Sequence, residues 1–169
     1  GIREILPNNT LAEFTRRTLE ELNDLSYSEE DSQFAIRVKE TLSLQLPLDH
    51  VTKVINRSGE VGKGSTDVGD VSWLVPTTGF STACWVPGTS AHSWQAVAAG
   101  GTNIGRKGMH LATRVLAASA WEMFTNPSVL AAAQAEHEQR LGVRKYSTLM
   151  LPGQKPPLDY RKPTTRGMK

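Results

Sequence analysis

Cysteine is nearly missing from this 169-residue chain: Cys84 stands alone. One thiol cannot form an internal disulfide framework or a cysteine-based zinc site, and the usage fits a reducing, cytoplasmic setting. Long apolar runs are missing too. The stretch from Val115 to Ala120 is interrupted by Ser119 and falls far short of the roughly 20 residues a membrane span requires. The chain opens Gly-Ile-Arg-Glu, polar from its third residue, so no secretory leader is expected. Nor is there an excess of charge or a deficit of apolar residues: 38% are hydrophobic and 21% charged, a globular composition that excludes disorder as a whole-chain description. At 18.5 kDa the chain suits one domain with a real core.

Charge is unevenly placed. From Arg144 onward there are seven Lys or Arg (Arg144, Lys145, Lys155, Arg161, Lys162, Arg166, Lys169) against the single acid Asp159, so the first 143 residues carry 12 basic and 16 acidic groups, a net of −4. The pI near 8.8 is therefore a property of the tail. Apart from Tyr146 and Tyr160 the tail has no interleaved aromatics, and neither a nucleic-acid nor a membrane partner is expected; a solvated tail, or one laid over a partner, is the reading.

Local patterns predict helices. Thr10-Leu-Ala-Glu13 reads as a capping box, followed by Leu11, Phe14, Leu19 and Leu22 at helical spacing up to about Asn23. Ser28 reads as the cap of a second helix, with Glu29, Glu30 and Asp31 favouring its positive end and Phe34, Ala35, Val38 and Leu42 as its apolar stripe. Val51–Ile55 and Phe80–Val86 are strand candidates, the latter closed by Pro87-Gly88. The longest helical signal places Met109, Ala112, Val115, Leu116, Ser119 and Met123 on one face. Asn126-Pro127 breaks it, and Asn126 or Ser128 can cap a last helix expected to run to about Leu141, where Gly142 stops it. Helices flanking strands imply an α/β fold.

Ten of the 14 glycines fall between Gly59 and Gly108, where chemistry is expected. Gly59-Glu-Val-Gly-Lys-Gly-Ser-Thr fails as a phosphate-binding loop: its glycine spacing is two residues short and Lys63 is followed by Gly64. No G-x-G-x-x-G occurs. Gly64-Ser-Thr-Asp-Val-Gly-Asp70 offers small residues whose backbone amides could meet an anion, with Asp67 and Asp70 beside them, although a turn with Asx hydrogen bonding is the plainer reading. Of four histidines, His110 and His137 read as solvated, His50 as an isolated candidate. His92 differs, because it follows a strand candidate and Pro87-Gly-Thr-Ser in a loop suited to presenting a metal ligand. One histidine makes no metal centre: zinc needs three or four protein ligands.

Together, Ser65-Thr-Asp-Val-Gly-Asp-Val-Ser-Trp73, Pro87-Gly-Thr-Ser-Ala-His92-Ser-Trp-Gln95, Ile104-Gly-Arg-Lys-Gly-Met109 and Leu6-Pro-Asn-Asn-Thr-Leu-Ala12 resemble the C-terminal part of the co-catalytic metal aminoacylase/carboxypeptidase family, in its branch acting on aminobenzoyl-glutamate. The resemblance covers Leu6 to Leu141. It implies a metal-dependent exopeptidase-like catalytic domain with a mixed sheet flanked by helices, the sheet incomplete here. It further implies two divalent ions, zinc or manganese, and hydrolysis of the amide of an N-acyl amino acid or aminobenzoyl-glutamate-like substrate by a longer parent. On the same ground His92 is the expected metal ligand, Gly64, Ser65 and Thr66 the substrate-carboxylate loop, and Asp67 and Asp70 supporting residues, with no catalytic residue within the chain and the general-base Glu outside it. Thr66 stands where many relatives carry Glu, and Trp94 where many carry Pro, which narrows the substrate. Residues 1–143 are then a C-terminal segment of the catalytic domain, 1–10 the exit from a lid domain, and 144–169 a basic, proline-containing tail. The expected partners are the N-terminal half of the same hydrolase and a second copy or a paralogous subunit. The other reading of the segment is a non-catalytic α/β binding or assembly module.

Overall fold

A computed structural model describes residues 2–57, 60, 66–156 and 158. Among these residues, six α-helices and one 3₁₀ turn follow in order: α1 (Asn9–Leu22), α2 (Glu29–Lys39), the 3₁₀ turn (Leu48–Thr52), α3 (Val68–Ser72), α4 (Trp94–Gly100), α5 (Asn103–Thr125) and α6 (Pro127–Leu141). The long α5 is the axis of the packing, touching α1, α4 and α6, while α1 also packs on α6.

No strand occurs among the described residues, so the expected α/β fold with its mixed sheet is overturned. A strand exists only by ladder bonds to a neighbour, and the two candidates find other partners. Val51 and Thr52 finish the 3₁₀ turn, where the Lys53 amide donates to His50 O at 3.2 Å. Phe80–Val86 lies along α5 instead of beside another extended segment. Its Thr82 hydroxyl donates to Gly108 O at 2.8 Å and its Cys84 amide bonds only locally, to Thr82 O at 3.0 Å. That approach is close enough that a Cβ on Gly108 would lie 2.6 Å from Ala83 O.

Helix ends show which local signals hold. The Ser28 capping box forms, with the Ser28 amide donating to Asp31 Oδ2 at 3.0 Å and the Asp31 amide to Ser28 Oγ at 3.2 Å. Asn126 caps α6 with Pro127 in its first turn, and Gly142 ends it. The Thr10–Glu13 box does not form. Asn8 is the cap of α1, accepting from the Leu11 amide at 2.9 Å, while Thr10 turns to Glu136 and Glu13 pairs with Arg16. The reason is a tertiary competitor: the Glu136 carboxylate reaches from α6 and takes the free amides of Asn9 and Thr10 at 2.9 and 2.7 Å.

The core has two lobes joined through α5. Ala35 and Val38 of α2, with Leu42 just beyond it, meet Val86, Ala99 and Ile104 in one; Leu25, Val51, Leu111 and Val115 form the other. The buried face of α5 is thus Ile104, Gly108, Leu111, Val115 and Ser119. Of the face expected from the sequence, Met109 and Leu116 are solvent-exposed. Lys107 ties the lobes at the edge, donating to Asp31 Oδ2 at 2.5 Å and Ser26 O at 2.8 Å.

Candidate functional site

The loop before α4 is built by two successive turns. Pro87 and Gly88 occupy the middle of a turn closed by the Thr89 amide on Val86 O at 3.1 Å, with Gly88 at φ +93°, the arrangement that asks for proline then glycine. Glycine is needed twice over, since a Cβ there would lie 2.0 Å from Leu44 O. The second turn is pinned by Ser93, whose hydroxyl donates to Ser90 O at 2.7 Å and accepts from the Ala96 amide at 3.2 Å, capping α4.

His92 sits between these anchors, exposed, with φ +59°. It has the one left-handed backbone among the described non-glycine residues, and such conformations persist only where the surroundings over-determine them. The ring is presented to solvent from a loop fixed at both ends. Nearby, Thr89 Oγ1 is buried with no hydrogen-bond partner among the described residues.

The other expected site residues scatter. Gly64 and Ser65 lie outside the described residues. Thr66 is exposed, its hydroxyl accepting from the Val68 amide at 3.3 Å. Asp67 is exposed at the start of α3 without making a side-chain cap bond. Asp70 accepts from the Arg3 amide at 3.3 Å and so ties the N-terminal segment to α3. Among the described residues no three His, Cys, Asp or Glu side chains gather where a metal ion could be held. His92 therefore offers one imidazole and not a centre.

A cleft of about 1070 Å³ brings together Thr66, His50, Pro87 and Gly88, with Phe80 and Trp85 on its walls; His92, Asp67 and Asp70 are not among its lining residues. The expected substrate-loop threonine and the turn leading to His92 thus share one concavity. Nothing in the sequence marked Phe80 and Trp85 as wall residues, because they come from a segment that reads as a strand.

A polar junction lies elsewhere, where the N-terminal segment, α3 and α6 come together. His137, expected to be solvated between Glu136 and Glu138, is only 3% exposed, and its Nε2 donates to Ser72 O at 3.0 Å. Ser72 Oγ accepts from the Leu6 amide at 2.8 Å, and Asn8 Nδ2 donates to Ala133 O at 2.8 Å. Trp73 donates through Nε1 to Glu4 O at 2.9 Å and is flanked by the guanidinium groups of Arg3 and Arg144, 5.1 and 5.0 Å from its ring. Arg3 also donates to Ser147 O at 3.0 Å, so the start of the basic tail folds back over the N-terminal segment. Burial pushes the Glu136 carboxyl up, but the bonds from Thr10, Asn9 and Arg140 outweigh it and bring the pKa down to about 2.

Comparison with known proteins finds similarity to a hydrolase subunit. It is 29% identical over 167 residues to one of the subunits of p-aminobenzoyl-glutamate hydrolase from Escherichia coli (strain K12), a match covering 83% of this chain and 35% of that protein. The chain spans about a third of the length of the curated relative it matches. No family model matches the chain, and no solved structure does. Among the described residues no helix is long and apolar enough to cross a membrane.

Proposed function

We propose that the chain is the C-terminal part of a metal-dependent amidohydrolase that cleaves the amide of an N-acyl amino acid, with aminobenzoyl-glutamate as the model substrate. The similarity to the hydrolase from Escherichia coli is the observation that carries this reading. His92, held exposed in a doubly pinned loop, supports it as the chain's one contribution to a zinc or manganese site. The metals would supply the activated water and polarise the scissile carbonyl. Among the described residues no other donors gather beside His92 to complete a metal centre. Thr66 and the neighbouring Gly64 and Ser65 are the residues proposed to receive the substrate carboxylate, and the cleft with Phe80 and Trp85 has the size and aromatic walls for an arylamide. Asp67 and Asp70 support that loop, Asp70 by fixing α3 to Arg3. The remaining ligands, the general base and the lid belong in this reading to a companion portion of the hydrolase, and the setting is cytoplasmic.

The test is hydrolysis of p-aminobenzoyl-glutamate by the full-length parent, with and without zinc or manganese, beside its His92→Ala form. Metal-dependent cleavage lost in the variant, with unchanged circular dichroism, is expected. Cleavage that survives both chelation and the substitution overturns the reading.

A further inference from the structure

Helix α3 is five residues long, far below the ~12–15 at which a helix is even marginal by itself in water, so its place is set from outside. Three bonds to Ser72 and Asp70 do this. His137 reaches from α6 with Nε2 3.0 Å from Ser72 O, one of the carbonyls that a helix end leaves without an intrahelical partner. A carbonyl only accepts, so that nitrogen carries the proton. The Leu6 amide donates to Ser72 Oγ at 2.8 Å, and the Arg3 amide to Asp70 Oδ1 at 3.3 Å. The N-terminal segment lies so close that a Cβ on Gly69 would stand 1.9 Å from Arg3 O. Two of the three donors are backbone amides, which every residue but proline supplies. The third requires a side chain of one reach.

Short bonds pass this position back to the front of α3. Ser72 Oγ donates to Gly69 O at 2.5 Å, the Asp70 amide to Asp67 O at 3.1 Å, and the Val68 amide to Thr66 Oγ1 at 3.3 Å. Each spans two or three residues, so Thr66 and Ser72 move as one body. Thr66 lines the cleft, whereas His137 lies outside it.

Resting on the function proposed above, we propose that His137 is a positioning residue of that hydrolase: by holding Ser72 O it seats α3, and with it Thr66, where the substrate carboxylate is received. A buried imidazole must have its polar atoms satisfied, a requirement that an apolar contact between two helices does not carry. What it adds is direction. An N–H aimed at one carbonyl fixes orientation, while apolar burial is indifferent to it. The carboxylate is remote from the amide that breaks, so it is bound equally in the ground and transition states, and misplacing Thr66 raises KM while kcat stays. Loss of folded enzyme does the opposite, lowering the apparent kcat at constant KM.

The test is hydrolysis of p-aminobenzoyl-glutamate by the full-length parent, with zinc or manganese, beside its His137→Leu and His137→Gln forms. Leucine removes the donor; glutamine returns an N–H at about the reach of Nε2. In His137→Leu, KM is expected to rise about tenfold, the scale of one hydrogen bond to a charged group, with kcat within about twofold. The dissociation constant of free glutamate, read by calorimetry, rises in step. His137→Gln brings both back to within about threefold of the parent. If His137→Leu does not fold, Ser72→Ala cuts the same path nearer to Thr66 and is expected to show the same split. An unchanged KM in whichever variant folds, a fall in kcat alone, or glutamine no better than leucine overturns the positioning role and leaves the hydrolase reading intact. A parent that cleaves no amide overturns both.

Discussion

Two regions of the chain are held by different physics. The junction of the N-terminal segment, α1, α3 and α6 is held by polar bonds that cross the chain: Asn9 and Thr10 to Glu136, Leu6 to Ser72, His137 to Ser72, Trp73 to Glu4. The loop that carries His92 is held by shape, by a glycine pressed onto Leu44 and a serine closing two turns, and it leaves one buried hydroxyl unpartnered among the described residues. The junction is a scaffold whose groups satisfy one another. The loop spends its few bonds on fixing a backbone and presents its imidazole to solvent, which suits a residue with something else to bind.

That contrast can be broken at several points. The largest effect is expected at Gly88→Ala, which sets a Cβ against Leu44 O and strains a φ of +93°; a loss of about 3 kcal/mol in urea denaturation, independent of pH, is expected. A loss under about 1 kcal/mol would mean that the loop is not shape-locked.

The junction is instead sensitive to acid. Glu136 titrates near 2 in the folded chain against an ordinary 4.5, so its contribution is fully present above about pH 4.5 and disappears as pH falls towards 2. Glu136→Gln should cost about 1–2 kcal/mol at pH 7 and flatten the stability profile between pH 4.5 and 2. An unchanged acid profile would detach the junction from that carboxylate.

The smallest changes are expected back in the loop. Thr89→Val removes an unpaired buried hydroxyl and should be neutral or stabilising by up to about 1 kcal/mol, read as a rise in Tm. A loss above about 1 kcal/mol would reveal a partner for that hydroxyl and erase part of the difference between the two regions.

Elements whose signals lie within a few residues were legible. Ser28 and Asp31 cap each other three residues apart, and Asn126, Pro127 and Gly142 bracket α6, because the groups concerned are neighbours in any chain that turns helical there. Thr10 and Glu13 carry the same signature and fail, since Glu136, 126 residues away, offers Thr10 a better acceptor. His137 reads as solvated between two glutamates, yet the helix turns it onto Ser72. In the site, the turn at Pro87-Gly88 and the isolation of His92 in its loop could be read directly. The cleft joining Thr66 to Phe80 and Trp85 could not, because it depends on where a segment without ladder partners comes to rest.

From residue order and composition follow α1, α2, most of α5 and α6, the caps at Ser28 and Asn126, the glycine-dense stretch and the uneven charge, all matters of short-range geometry or of chemistry carried by residue type. Packing determined the rest. Phe80–Val86 needed a neighbour to be a strand and found α5. Helix α5 has two apolar sides, and periodicity alone does not say which of them this chain buries. Strand pairing and burial are properties of two surfaces in contact, and a single segment specifies only its own half.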